Sequence, residues 1–145
     1  MNLGTSTKAT VASAGAAVGT TAVVGSTLDM SEFEGVLLIA LVGAITDGGF
    51  VLKAQGGAAS DGSDKADLAG TATTLTNAQD NNIAMLDLYR PVQRYITPVG
   101  VRAGSTGAVV QGIIAIQYGP HVKPTVQDAT IGASKTVVSP AYGTP

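Results

Sequence analysis

Residues that commonly carry out chemistry are scarce in this chain of 145 residues, which has one histidine and no cysteine. The histidine, His121, lies in a Gly-Pro-His-Val-Lys-Pro segment. A catalytic histidine needs a nucleophile to serve and a further group to orient it, and no serine occurs in a Gly-x-Ser-x-Gly turn. Zinc sites need several His or Cys ligands. We therefore interpret His121 as a solvated loop residue rather than a catalytic or zinc-binding one.

Three acidic residues could suggest a calcium site, since Asp61, Asp64 and Asp67 lie close together in the sequence. Calcium loops place their acids at alternate positions and add a distant bidentate glutamate. Here the acids are three residues apart and Lys65 lies between two of them, which favours a flexible loop. The glycine-rich stretches also lack the order of a phosphate-binding loop. The sequence predicts a protein that is not an enzyme and has no metal or cofactor.

One polar cluster is of interest, in which Arg90, Arg94 and Arg102 are interleaved with Tyr89 and Tyr95. Arginine beside aromatic rings can stack on bases, but three arginines in a chain of net charge −2 argue against direct nucleic-acid binding. Arg and Tyr also anchor protein interfaces. Two interpretations stay open, an intramolecular cluster at a strand corner and an interface. The interface candidates are Tyr89, Arg90, Arg94 and Tyr95, with His121, Val122 and Lys123 further along the chain.

The composition indicates a domain whose surface is covered in use. Hydrophobic residues make up 45% of the chain and charged residues 12%, about half of the usual charged share of roughly 25%. Charge normally limits association of solvated domains, so its scarcity favours a protein that binds other protein surfaces. The length fits one domain with a core of its own.

The clearest structural pattern spans residues 36–55. Residues 36–45 form a bounded apolar run, Thr46-Asp47-Gly48-Gly49 is a turn, and residues 50–55 alternate between apolar and other side chains. This order predicts a β-hairpin. The first strand is apolar on both faces, so its second face needs a covering layer, which could be another sheet, an arm of the chain or another subunit. The apolar run of about ten residues is too short to cross a membrane as a helix.

Further strands are predicted over residues 83–89, 95–103 and 109–118, with Pro98 indicating an edge or bulged position. Residues 10–24 favour one or two strands over a helix, because Thr, Val and Gly suit strands and turns better. The predicted fold is an all-β, single-domain antiparallel β-sandwich or barrel over residues 1–119. Residues 120–145 hold four prolines and predict an extended C-terminal arm.

Two segments of the sequence are familiar, residues 86–95 (LDLYRPVQRY) and 112–120 (GIIAIQYGP), with supporting matches in residues 29–35, 46–48 and 67–71. Over about residues 10–140 the chain resembles small virion proteins of tailed phages that occur beside the major capsid protein. These virion proteins are similar to capsid decoration or cement proteins, which bind the outside of the expanded shell and reinforce it.

The resemblance implies a domain without cofactors that binds the major capsid protein, forms homo-oligomers (dimers or trimers) and bridges neighbouring capsomers. Such a protein is made in the host cytoplasm and resides on the capsid exterior of the virion, with no membrane and no direct nucleic-acid contact. Two alternatives remain, a tail-associated or head-to-tail structural protein and a carbohydrate-binding attachment module. The latter normally shows exposed Trp or several Tyr, and Trp is absent.

Overall fold

The protein is nearly all β in a computed structural model that describes residues 2–137. In chain order the elements are the short helix α1 (Leu3–Ser6) and the strands β1 (Thr7–Ser13), β2 (Ala16–Gly19), β3 (Val23–Val24), β4 (Leu28–Asp29), β5 (Phe33–Ile45), β6 (Gly49–Gly57), β7 (Ala66–Asp67), β8 (Thr73–Thr76), β9 (Ile83–Tyr89), β10 (Tyr95–Arg102) and β11 (Ala108–Pro120), with a 3₁₀ turn at Asn77–Gln79.

Two antiparallel sheets pack together as a sandwich, with no closed barrel, so the predicted all-β sandwich is confirmed. Sheet I has the strand order β1-β11-β5-β9, with β2 also pairing with β11. Sheet II has the order β3-β10-β6-β7, with β4 pairing with β10 and β8 with β6.

The core lies between the sheets and follows the two-residue period of the strands. Leu38 of β5 is paired with Leu86 of β9 and Ala115 of β11 in one inward-facing row. From sheet II, Phe50 and Leu52 are fully buried. Gly100 of β10 is paired with Leu52 of β6, and a side chain at Gly100 would overlap the Phe50 ring. A glycine therefore makes room for the largest side chain of the core.

The predicted hairpin at residues 46–49 is wrong, although the turn is present. β5 belongs to sheet I and β6 to sheet II, so the turn carries the chain from one sheet to the other. The Asp47 carboxylate accepts hydrogen bonds from the backbone N–H groups of Ser105, Thr106 and Gly107 at 2.7, 2.9 and 2.7 Å. That second turn links β10 to β11 and also crosses between the sheets. Asp47 thus ties the two crossings together.

Pro98 is not in an edge strand, because β10 has partners on both sides. On one side, however, the partner is divided. β4 pairs with Tyr95 and Ile96, and β3 pairs with Val99 and Gly100. Pro98 lies in the interval between them, where its missing N–H interrupts no ladder. The gap between β4 and β3, and not an edge position, therefore accommodates the proline.

The segment that follows β11 packs back against the sandwich of the same chain. β11 extends to Pro120, and residues 121–137 contain neither helix nor strand. Gln127 Oε1 accepts from the backbone N–H of Ala9 at 2.9 Å, and Thr130 Oγ1 accepts from that of Val11 at 2.9 Å. These side chains satisfy the outer backbone groups of β1, an edge strand. Residues 138–145 of the predicted arm lie outside the described residues.

Candidate protein-binding surfaces

Two salt bridges order one end of the sandwich, which we call the loop end. It comprises the 30–32 turn before β5, the 90–94 loop between β9 and β10, and the segment after β11. The Arg94 guanidinium makes two hydrogen bonds to the Asp29 carboxylate, at 3.0 and 2.8 Å, and lies 5.0 Å from the centre of the Tyr95 ring. This two-pronged geometry fixes the loop to β4.

Arg90 repeats the arrangement on the other side of the loop. Its side chain contacts Glu34 at 3.4 Å and lies 5.2 Å from the centre of the Tyr89 ring. The backbone of Arg90 is in the left-handed region, with φ of 50°, and its N–H donates to the Glu34 carbonyl at 2.7 Å. Each arginine thus lies between an aromatic ring and a carboxylate of the same chain, with two hydrogen bonds for Arg94 and one longer contact for Arg90.

Two open clefts adjoin at the loop end. The first, of about 480 Å³, is lined by Arg90, Arg94 and His121 together with Phe33 and others. The second, of about 470 Å³, also includes Phe33 and continues along the segment after β11. Three valines at this end are strongly exposed: Val92 at 97%, Val122 at 71% and Val126 at 85%. Exposed aliphatic tips beside fixed arginines and tyrosines suit a protein partner better than a small molecule.

The Asp29 carboxylate at this end keeps its charge. Hydrogen bonds from Arg94, assisted by the Ser31 N–H, hold the pKa of Asp29 well below its usual range. The Arg94–Asp29 pair therefore stays ionised through neutral pH, and the opposite charges of the pair offset each other. A partner would meet a surface of low net charge with fixed hydrogen-bonding groups.

A second surface is the outer side of sheet I, where apolar side chains face away from the core. In one row across the four strands, Val11 is paired with Ile114, Ile114 with Ile39, and Ile39 with Met85. The adjoining rows add five residues, and we call the whole set the outer apolar face: Ala9, Val11, Leu37, Ile39, Leu41, Ile83, Met85, Ile114 and Ile116. Ile83 and Met85 are 56% and 52% exposed.

A polar contact borders this face toward the loop end. The Tyr118 ring lies over Gly35, where a side chain would overlap it, and the Tyr118 hydroxyl donates to Asp87 at 2.6 Å. Partial burial and this bond to a carboxylate raise the pKa of Tyr118 to about 12. Asp87 is the ionisable residue within the rows of the outer apolar face, and its charge is directed to the Tyr118 hydroxyl.

The structure brings most of the sequence-predicted interface candidates together. Arg90, Arg94 and His121 line one cleft, Tyr89 and Tyr95 stack on the arginines, and Val122 lines the other cleft. Lys123 is exposed and lines neither cleft.

Arg102 is separate from this cluster. It is buried, and its guanidinium donates to the backbone carbonyls of Thr21 and Ala108 at 2.7 and 3.0 Å and to that of Ala17. The intramolecular interpretation therefore holds for Arg102.

Sequence reasoning predicted a covering layer for the second face of residues 36–45 but did not identify the outer apolar face, which runs across four strands, as a site. Its signal was present, because residues 36–45 and 109–118 are apolar at both odd and even positions. A strand buried on one face alternates instead. Val92 and Val126 were also missed as interface candidates. Their signal in the sequence is an aliphatic residue inside an otherwise polar loop.

Comparisons with known proteins leave the assignment to physical argument. No family model matches the chain, and neither the curated proteins nor the solved structures give a significant match. Within residues 2–137, no helix has the length and apolar character needed to cross a membrane. Over the same range, no three His, Asp or Glu side chains are grouped so as to hold a metal ion.

Proposed function

We propose that this protein is a structural virion component that binds the outer surface of a tailed-phage capsid and bridges major capsid protein subunits. It acts by protein–protein contact and without catalysis. The observation that carries the proposal is the loop end, where exposed valines surround fixed arginine–tyrosine pairs. The capsid as partner follows from the sequence resemblance, and the loop end supplies the surface that would meet it.

The chemistry of the loop end favours a protein surface as the partner. Interfaces are enriched in Tyr and Arg, and truncation of such anchors has the largest effects on binding. Arg90 and Arg94 are each positioned by a carboxylate and a ring, so little side-chain freedom would be lost on binding. On a shell, many weak contacts of this kind would act together.

The test is binding to expanded heads of the parent phage assembled without this protein. Wild-type chain is mixed with heads, the heads are pelleted, and bound copies per head are counted by quantitative mass spectrometry. We expect saturable binding at many copies per head. No saturable binding would refute the capsid assignment, and binding to purified tails instead would favour the tail-associated alternative.

Two variants locate the contact. Val92→Glu places a charge on a side chain that is 97% exposed, so folding should be unaffected. The matched control is Val24→Glu, on the β3 edge of sheet II, where Val24 is 51% exposed. We expect Val92→Glu to weaken head binding at least tenfold and Val24→Glu to leave it unchanged; equal effects of the two would argue against the loop end.

A further inference from the structure

We infer that the outer apolar face binds the same face of a second copy of this chain, forming a twofold dimer in which two sandwiches stack sheet on sheet. The inference concerns association in solution and does not depend on the capsid proposal. It assigns a partner to a surface that the loop-end contact leaves unused.

The face has the chemistry of a sheet-packing surface. Its nine side chains are aliphatic or methionine, and they stand in register across four strands. Side chains of this kind interdigitate when sheets pack face to face at about 10 Å. The same strands already pack in this way against sheet II on their inner side. A sheet that is apolar on both sides can bury its second side only against a third layer. The same face of a second copy would supply a layer of the same size and chemistry.

The charge of the face suits an identical partner. The rows contain one ionisable group, the Asp87 carboxylate, and Tyr118 donates a hydrogen bond to it. A strongly charged partner would find no complementary charge here, whereas an identical face brings apolar side chains of its own. Asp87 is one row away from the row of Val11 and Met85. A twofold axis that lies in the interface along this central row therefore brings Asp87 opposite the apolar row on the far side, and the two carboxylates stay apart.

The area of the face sets the expected strength. Four strands spaced by about 4.8 Å, over about five residues at 3.3 Å each, give a face of about 19 by 17 Å. Two such faces would remove roughly 650 Å² from water in projection, which is the size of a weak, transient contact. We therefore expect a weak, reversible dimer, one that forms fully only where copies are held close together.

Side-chain caps at the edges of sheet I favour face-on over edge-on association. At the β1 edge, Gln127 and Thr130 occupy the N–H groups of Ala9 and Val11. At the β9 edge, the Thr73 hydroxyl donates to the Met85 carbonyl at 3.4 Å. Strand addition at these positions would first have to displace those groups, whereas on the outer apolar face Ile83 and Met85 are 56% and 52% exposed within the part of the chain that the structure describes.

The experiment measures the mass of the full chain by sedimentation equilibrium over a wide concentration range. The chain mass is 14.4 kDa, and we expect a concentration-dependent shift toward twice that value. Met85→Glu and Val11→Glu place a charge on opposite sides of the face, at residues that are 52% and 37% exposed. Val24→Glu, 51% exposed on sheet II, is the matched control. Circular dichroism verifies the fold of each variant.

Each result decides the inference. We expect Met85→Glu and Val11→Glu to raise the dissociation constant at least tenfold, about 1.4 kcal/mol, and Val24→Glu to leave it unchanged. A wild-type chain that stays monomeric at every concentration would overturn the inference. So would a dimer that is insensitive to both face variants, or a trimer. A monomer that still decorates heads would refute the dimer and leave the capsid proposal intact.

Discussion

The outer sides of the two sheets differ, because the central strands of sheet I are apolar at both odd and even positions, whereas β6 of sheet II alternates. Sheet I presents Leu37, Ile39 and Leu41 on β5, whereas the corresponding side of β6 presents Val51, Lys53 and Gln55. Lys53 and Gln55 both donate to the Asp67 carboxylate of β7, at 2.6 and 2.8 Å. Sheet II thus satisfies its outer side with its own polar groups, and sheet I does not.

Sheet II is also covered by part of its own chain. Thr97 lies on the outer side of β10 and is only 1% exposed, and its hydroxyl is 3.0 Å from that of Thr27. The loop after β6 folds back over it, held by Asp64, which accepts from the N–H groups of Ala58 and Ala59. The difference is that the chain covers the outer side of sheet II itself, whereas on sheet I the side chains of Ile83 and Met85 are more than half exposed, which is the surface that we infer binds a second copy.

The largest expected effect comes from shortening a side chain on the inner side of β5, compared with one on its outer side. Leu38 is fully buried between the sheets, so Leu38→Ala should lower the free energy of unfolding by about 2–5 kcal/mol. Ile39→Ala, one residue along on the outer apolar face, should cost much less at concentrations where the chain is monomeric. Urea denaturation measures both. Because a one-residue slip of register exchanges the faces, equal losses would contradict the assigned sides.

The next effect concerns the border of the outer apolar face. Gly35→Ala places a methyl group into the Tyr118 ring and should destabilise the fold by about 1–3 kcal/mol, as overpacking does. The displaced ring should also lose its hydrogen bond to Asp87, so the Tyr118 pKa should fall from about 12 toward its ordinary value. Spectrophotometric titration of tyrosine reads this pKa. Gly132→Ala, where a side chain meets no atom within 4 Å, is the control, and a similar loss there would remove the steric explanation.

A smaller effect is expected on sheet II. Thr97→Val removes the hydrogen bond to Thr27 while keeping the shape of the side chain, and should cost about 1 kcal/mol. Thr74→Val, exposed on the outer side of neighbouring β8, should be nearly neutral. Thermal unfolding compares the two, and the variant should also show faster amide hydrogen exchange in the 58–65 loop. Unchanged exchange would mean that this hydroxyl pair does not hold the loop.

The smallest effect is a pH dependence at the paired crossings between the sheets. Three backbone N–H groups, with that of Gly107 contributing most, hold the pKa of Asp47 below its ordinary value. A lowered folded-state pKa gives stability that is present above the unfolded pKa, near 3.9, and lost as pH falls through the folded one. Thermal unfolding should therefore show Asp47→Ala destabilised at neutral pH, with the difference from wild type shrinking below about pH 4. A difference that is constant across this range would contradict the role of the ionised carboxylate.

Much of the fold could be predicted, because local patterns carry it. Alternation identified β6 and β10, and the Thr46-Asp47-Gly48-Gly49 turn was correctly located. The pairing of β5 with β6 was wrong because an Asp-Gly sequence specifies a chain reversal and not the partner strand. The turn between β5 and β6 instead contacts residues 105–107 through Asp47, nearly 60 positions away, and no local pattern specifies such a contact.

The candidate site was likewise predictable only where its contacts are local in the sequence. Each arginine stacks on a tyrosine adjacent in sequence, so the cluster at 89–95 could be seen in the sequence. Its carboxylate partners, Asp29 and Glu34, are 65 and 56 residues away and could not. Two-sided apolar strands predicted a covering layer for β5, but only the packed structure distinguishes the side that meets sheet II from the side that is open.

The central claim, that sheet I is completed by another copy, is tested most directly by methionine oxidation. Met85 is 52% exposed on the outer apolar face and Met30 is 5% exposed in the core, so peroxide should form the sulfoxide much faster at Met85. Mass spectrometry follows both rates as protein concentration rises. We predict that oxidation of Met85 slows with concentration while that of Met30 does not change. A Met85 rate that is fast and independent of concentration would contradict the account.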